Sequence, residues 1–183
     1  MISPSKGKIL IANPFLKDPN FSRSVIFLCE HMEEGTFGFV LNKMHSLNLA
    51  ELLPELEEIK MPVYKGGPVQ PETLHFLHQY PDLIMGGIEV IEGVYWGGNF
   101  ESLQINLKNN NLHPAKIKFF VGYSGWDKGQ LDLEMSGESW LVAEATKTLL
   151  FNTRPENTWK ESLKHLGGKY EMLINYPLDP LLN

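Results

Sequence analysis

The sequence predicts an α+β fold, in which short strands paired as hairpins form one sheet and helices are scattered between them. Apolar runs of strand length recur along the chain and are separated by turn residues, a pattern typical of paired strands. Apolar residues at helical spacing occur in a few separate places and do not follow every strand. The order therefore favours α+β over a doubly wound parallel sheet.

The strands are predicted from the apolar runs. Residues 25–30 form an unbroken run and are predicted to be buried on both faces, with 36–42 as the returning partner. Gly38 in that partner indicates a bulge or a close backbone approach. A further hairpin turns at Gly93, where a positive φ is expected. The other predicted strands are Lys8–Ala12, 74–80, Ile88–Ile91, Val94–Trp96, 117–121 and 140–143.

Helices are predicted from apolar spacing and from end signals. Asn99 is the expected N-cap of one helix, and Gly167 is the expected C′ residue of another. A short helix is interrupted by Pro54, and 148–151 is a short helical piece. The tail, 169–183, is expected to lie extended on the surface. The apolar faces of the three helices are formed by Leu49, Leu52, Leu53 and Leu56, by Phe100, Leu103 and Leu107, and by Trp159, Leu163 and Leu166.

The stretch 122–130 follows the apolar run 117–121 and is the centre of the prediction. Gly122 and Gly125 bracket a Tyr-Ser pair, which predicts a glycine-bent loop. Asp127 and Gln130 resemble a capping box, in which the first side chain accepts from the helix and the second reaches back. The stretch is therefore interpreted as a strand end, a loop and a helix start.

Composition bounds the class of protein. The chain has 183 residues, 43% of them hydrophobic, and a formal net charge of -6, which fits one globular domain over 1–183. The acidic balance argues against direct nucleic-acid binding. Cys29 is the only cysteine, so an intrachain disulfide and a cysteine zinc site are excluded. This fits a reducing cytoplasm, and no apolar stretch reaches membrane-spanning length. We expect a cytoplasmic protein with no membrane partner.

Several short motifs follow one another along the chain. They are D-P-N-F-x-R-S-V from Asp18, E-H at Glu30, G-x-x-G-x-V-L-N from Gly35, G-G-P-V from Gly66, L-H at Leu77, G-Y-x-G-W-x-x-G-Q-L-x-x-E from Gly122, and then Trp140, Phe151, Trp159 and Leu166-Gly167. Taken in this order, the motifs resemble the AlgH/YqgE family of bacterial proteins, over about residues 7–168. The residues past Gly168 depart from the family pattern.

The resemblance implies a single α+β domain with a strongly bent mixed sheet, partly closed like a small barrel and surrounded by helices. It implies no activity and no cofactor. Some members carry the label of transcriptional regulator, which describes no mechanism.

Two polar turns are candidates for binding. Asp18, Asn20 and Arg23 lie in a Pro-containing turn, where Arg23 either clamps an anion or ties down the turn by pairing with Asp18; we favour the pairing. Gly66, Gly67 and Pro68 form a sharp loop whose N–H groups are suited to an anion nest. That loop lacks the Lys-Ser/Thr ending of a phosphate loop.

Catalytic and metal sites are weakly indicated. Ser124 lies in a near miss for the G-x-S-x-G elbow, because Trp126 replaces the second glycine; the simpler interpretation is a turn serine bonded to backbone. His75 and His78 share a face only on a helix, and a strand is predicted there, so no metal site is assigned. Cys29 is interpreted as a small buried hydrophobe.

The leading hypothesis is a non-enzymatic domain that holds an unidentified ligand or protein partner in one groove between three loops. That groove is predicted from Asp18, Asn20, Arg23, Gly66, Gly67, Pro68, Tyr123, Ser124, Trp126 and Gln130. Tyr123 and Trp126 either line it or fill the core, and the core is favoured. The alternatives are a transcriptional regulator that acts indirectly, because no DNA-binding motif is found, and a hydrolase using Ser124 or the histidines.

Overall fold

The computed structural model describes residues 2–177, so 178–183 of the predicted tail lie outside it. The strands are β1 Lys8–Ala12, β2 Val25–His31, β3 Gly35–Val40, β4 Val63–Lys65, β5 Val69–His78, β6 Ile88–Ile91, β7 Val94–Trp96, β8 Ile117–Asp127 and β9 Trp140–Glu144. The α-helices are α1 Leu49–Leu52, α2 Phe100–Lys108, α3 Gln130–Ser136 and α4 Pro155–Leu166. Short 3-10 segments span Pro54–Leu56, Pro114–Lys116 and Gly168–Asn175, and a π turn spans Thr148–Asn152.

Within residues 2–177 the nine strands form one sheet in the order β6-β7-β5-β8-β3-β2-β1-β9, with β4 paired beside β8. The β4–β8 pairing is parallel and the others are antiparallel. The sheet curls into a half-barrel, which confirms the α+β fold and the bent, mixed sheet. The long strand β8 contacts three other strands and is the centre of the sheet.

Alternating side chains divide the core between the two faces of the sheet. Val90 of β6 and Ala143 of β9 come from opposite ends of the sheet yet share one buried cluster with α4. The sheet therefore curls around this inner cluster. Two outer clusters cover the other face, one under α1 and α2 and one under α3. Phe27 and Leu28 of β2 belong to the inner and an outer cluster respectively, so β2 is buried on both faces as predicted.

Several local predictions are confirmed. Asn99 accepts the Ser102 N–H at 2.7 Å as the N-cap of α2. Gly93 has φ +73° at the tip of its hairpin. A Cβ on Gly38 would lie 2.2 Å from the Phe27 carbonyl oxygen, which explains why only glycine fits this close approach.

The predicted loop at 122–127 is wrong, because β8 continues through Asp127. The segment from Ser124 to Asp127 pairs with β3, residues that are distant in sequence. Gly122 absorbs the change with φ +66° inside the strand, as a bulge does. The helix that follows is confirmed, but its capping box is only half formed. Gln130 Oε1 accepts the Asp127 N–H at 3.1 Å, while the N-cap residue is Gly129 with no side-chain bond.

The predicted extended tail is also wrong over the described residues. Gly167 and Gly168 both have positive φ and turn the chain after α4. The following 3-10 segment then packs Tyr170, Leu173 and Ile174 against the inner cluster. Burial of these apolar side chains explains why the segment does not stay extended.

Candidate functional site

The ten predicted site residues do not line one groove. Within residues 2–177, six of them line two separate hollows and four line neither. Phe37, Trp96 and Tyr123 in the first hollow pack against the inner cluster, whereas Val40 and Val121 in the second belong to the outer clusters. The ring-lined part of the first hollow and the second hollow therefore lie on opposite faces of the sheet. Tyr123, Trp126 and Gln130 line the first, Asn20, Gly67 and Pro68 line the second, and Asp18, Arg23, Gly66 and Ser124 line neither.

The Asp18 turn forms, but without the predicted ion pair to Arg23. Asp18 Oδ1 accepts the Asn20 N–H at 2.8 Å, as expected for an Asx turn. The Arg23 guanidinium instead lies 4.8 Å from the centre of the Trp159 ring and donates to the Tyr176 carbonyl. Arg23 therefore fastens the C-terminal segment to α4 by cation–π and hydrogen-bond contacts.

Gly66 and Ser124 form a junction between strands. Gly66 N–H donates to the Val121 carbonyl at 2.9 Å, so this N–H is not available to an anion. Its carbonyl accepts from the Val40 N–H at 2.8 Å and from Ser124 Oγ at 3.0 Å. Ser124 is fully buried, and its hydroxyl bonds backbone as the simpler interpretation predicts.

Both histidines of β5 are hydrogen-bonded within the protein. His78 is buried, with Nε2 donating to the Gly97 carbonyl at 2.8 Å and Nδ1 accepting the Tyr80 N–H at 3.1 Å; burial lowers its pKa. His75 lies on the other face of the strand, 3.0 Å from Thr73 Oγ1, and burial lowers its pKa as well. Burial raises the pKa of the Cys29 thiol. No group of three metal-ligating side chains is found in the part of the chain that the structure describes.

The first hollow is a cleft of about 700 Å³ at the mouth of the half-barrel. We call it the aromatic cleft and define it by Phe37, His75, Trp96 and Tyr123. Phe37 lies edge-on to Trp96 at 4.8 Å and to Tyr123 at 6.0 Å between ring centres. His75 lies 5.9 Å from Tyr123 and 6.4 Å from Trp96. All four rings are partly exposed, and a cleft of this size suits a small ligand.

Four strands bring these rings together. Phe37 comes from β3, His75 from β5, Trp96 from β7 and Tyr123 from β8. Gly122 is decisive, because the bulge there shifts the alternation by one residue and places Tyr123 on the same face as Phe120. The sequence named Tyr123 as a groove residue but favoured the core for it, whereas its ring is partly exposed in the cleft. The sequence missed Phe37, His75 and Trp96 as parts of one site. In the sequence these three residues stand out only as aromatic side chains next to a glycine or near the end of a strand.

The rim of the aromatic cleft is acidic. Glu30, Glu34 and Asp127 lie along it, and none of the described residues that line it is lysine or arginine. Burial lowers the pKa of His75 and so disfavours its charged form. The cleft therefore combines electron-rich ring faces with carboxylates, both of which attract cations.

A hydrogen-bond network supports the floor of the cleft. Glu134 Oε2 accepts from the indole N–H groups of Trp126 at 2.9 Å and of Trp140 at 2.7 Å. Its other oxygen accepts from Gln130 Nε2 at 3.1 Å. The sequence placed Trp126 in the core, which is confirmed since only 4% of it is exposed. Glu134 was noted only as part of the family pattern.

The fold and the cleft define a class: an α+β half-barrel with one ligand-sized aromatic cleft and a buried serine that bonds backbone. Residues 9–171 match the family model described as AlgH-like, and the chain belongs to this family.

Sequence similarity to related proteins extends over nearly the whole chain. Proteins from Chlorobium limicola and Cytophaga hutchinsonii, each named only UPF0301 protein, are 41% and 40% identical and cover 97% and 98% of this chain and 95% and 99% of their own. The solution structure of the AlgH protein from Pseudomonas aeruginosa matches with TM-score 0.75 at 31% identity, over 97% of this chain and 98% of that one.

A crystal structure of a Corynebacterium diphtheriae protein matches with TM-score 0.77 at 20% identity, covering 96% of this chain and 94% of that one; this likeness concerns the fold alone. In residues 2–177 the helices are too short or too polar to cross a bilayer.

Proposed function

We propose that this AlgH-like protein is a non-catalytic binding protein that holds a cationic group of its ligand or partner in the aromatic cleft. The observation that carries the proposal is the combination of four partly exposed rings with three rim carboxylates, with no lysine or arginine among the lining residues in 2–177. An ammonium or guanidinium group over such rings gains about 0.5–2 kcal/mol per good contact.

The surroundings of Ser124 favour a binding protein over a hydrolase. The Ser124 hydroxyl is buried and donates to the Gly66 carbonyl, whereas a nucleophile needs a base within hydrogen-bond reach. No observation favours a regulator that contacts DNA, because the net charge is -6. As part of the proposal we place the protein in the cytoplasm, which fits the single buried thiol of Cys29.

The test uses two probes of equal shape, choline and its uncharged carbon isostere neohexanol. Each is titrated into the wild-type protein at low ionic strength and followed by calorimetry. We expect choline to bind about fivefold more tightly, the ratio that about 1 kcal/mol of cation–π energy gives. Equal affinity of the two probes would show that the positive charge does not contribute to binding. If neither probe bound saturably, the cleft would not be the binding site that we propose.

A pair of variants locates the site. Phe37→Ala opens one wall of the cleft and should abolish choline binding, because Phe37 contacts both Trp96 and Tyr123. Phe15→Ala is the matched control, since Phe15 is 55% exposed on a loop away from the cleft. Glu30→Gln should weaken choline and leave neohexanol unchanged.

A further inference from the structure

The second hollow, of about 370 Å³, is lined by basic residues. We call it the basic pocket and define it by Lys43, His45 and Lys65. It opens on the face of the sheet opposite the aromatic cleft, and none of the described residues that line it is acidic. In a chain with 22 acidic and 16 basic residues, such a concentration of unmixed positive charge is unusual.

Backbone pairing fixes the three basic side chains on one side. Met44 and Tyr64 form an antiparallel bridge, and Lys65 N–H donates to the Lys43 carbonyl at 2.7 Å. Lys43 and Lys65 therefore lie directly opposite each other, and His45, two residues along, points to the same side. Like charges at directly opposite positions are destabilising, so this arrangement costs stability unless something compensates it.

No carboxylate of the described residues compensates the pair. The ion pairs found within residues 2–177 are Lys8–Glu144, Lys128–Glu33 and Lys164–Glu161, and none includes Lys43 or Lys65. Lys43 Nζ donates to the Ser22 carbonyl at 2.8 Å, which fixes the ammonium and leaves two of its protons for a ligand. Burial lowers the pKa of Lys43, an effect that a bound anion would reverse.

The other walls are rigid and apolar. Pro19, Pro68 and Pro71 line the basic pocket, and proline fixes the backbone φ. Gly67 is pressed against β8, where a Cβ would lie 2.2 Å from the Tyr123 carbonyl. The hollow is larger than a free phosphate needs, and its proline walls suit a small organic body beside the anion.

We propose that the basic pocket binds an organic phosphate monoester, with Lys43 and Lys65 on the phosphate and the organic part against the prolines. Lysine contributes a point charge to such a site. This proposal is independent of the aromatic cleft, because it rests on other residues on the opposite face of the sheet.

The experiment titrates phenyl phosphate, inorganic phosphate and phenol into the folded protein at low salt, and follows the backbone amide of Gly67 by NMR. Tighter binding of phenyl phosphate than of inorganic phosphate is the expected result. Equal affinity of the two would support the phosphate site but assign it to free phosphate. Phenol binding as tightly as phenyl phosphate would overturn the proposal, as would the absence of saturable phenyl phosphate binding up to about 10 mM.

Two variants distinguish binding at the basic pocket from a general effect of removing one positive charge. Lys65→Gln removes an exposed side chain, so the fold should persist, and phenyl phosphate should bind roughly tenfold more weakly when one of two phosphate contacts is lost. Lys160→Gln is the matched control, because Lys160 is exposed on α4. Equal losses in both variants, or unchanged affinity in Lys65→Gln, would contradict the assignment.

Discussion

Replacing Glu134 by alanine tests how the floor of the aromatic cleft is held. Glu134 Oε2 accepts from two indole N–H groups, those of Trp126 and Trp140. Both tryptophans are buried, with 4% and 3% of their surface exposed, so water cannot easily replace the lost acceptor. The variant therefore leaves two buried donors without a partner.

The magnitude follows from the number of orphaned donors. Each buried donor left unpaired costs about 1–3 kcal/mol, so the two donors orphaned in Glu134→Ala should lower the free energy of unfolding by about 2–6 kcal/mol. Glu134→Gln keeps an acceptor oxygen but loses the charge and turns a donor toward Gln130. It should cost about 1–2 kcal/mol. The order of the two variants is part of the prediction.

Equilibrium unfolding in urea, followed by far-ultraviolet circular dichroism, measures these differences. Glu58→Ala is the matched control, because Glu58 is exposed in a turn and should stay within about 0.5 kcal/mol of the wild type. A loss below about 0.5 kcal/mol in Glu134→Ala would refute the argument, since the two indole groups would then have found other partners.

Two further predictions concern the core. Burial lowers the pKa of Lys118 to about 7, despite its contacts with the Tyr64 ring and the Leu150 carbonyl. At pH values between about 7 and the ordinary lysine pKa, the Lys118 side chain is protonated in the unfolded chain but not in the folded protein. Stability should therefore rise with pH above 7 by up to about 1.4 kcal/mol per unit from this group, and Lys118→Met should remove that slope; an unchanged slope in urea unfolding at several pH values would contradict this. Gly67→Ala places a Cβ 2.2 Å from the Tyr123 carbonyl and should cost about 3 kcal/mol, whereas Gly137→Ala, with its nearest atoms at 3.6 Å, should be nearly neutral by the same measurement.

Most of the fold could be predicted because its signals are local. The burial of 25–30, the hairpin at Gly93 and the Asn99 cap each depend on residues a few positions apart. The end of β8 could not be predicted in this way. Gly122 and Gly125 favour a loop locally, and only pairing with β3 makes the segment a strand.

The candidate site was harder to predict for the same reason. Whether Tyr123 faces the cleft or the outer core depends on one extra residue at Gly122, and a shift of one residue reverses every side chain that follows. Phe37 and Trp96 meet only because the sheet curls. The polar turn at Asp18 looked like part of the site, yet Arg23 turns away toward Trp159, an aromatic contact that no local pattern indicates.

The indole N–H signal of Trp96 tests the central claim most directly. The other indole groups, of Trp126, Trp140 and Trp159, are hydrogen-bonded inside the protein, while Trp96 lies in the aromatic cleft. In a nitrogen-15 NMR titration with choline, we predict that the Trp96 signal moves saturably and that the signals of Trp140 and Trp159, which do not line the cleft, stay within error. A Trp96 signal that is unmoved at saturation, or four signals that move together, would contradict the cation site.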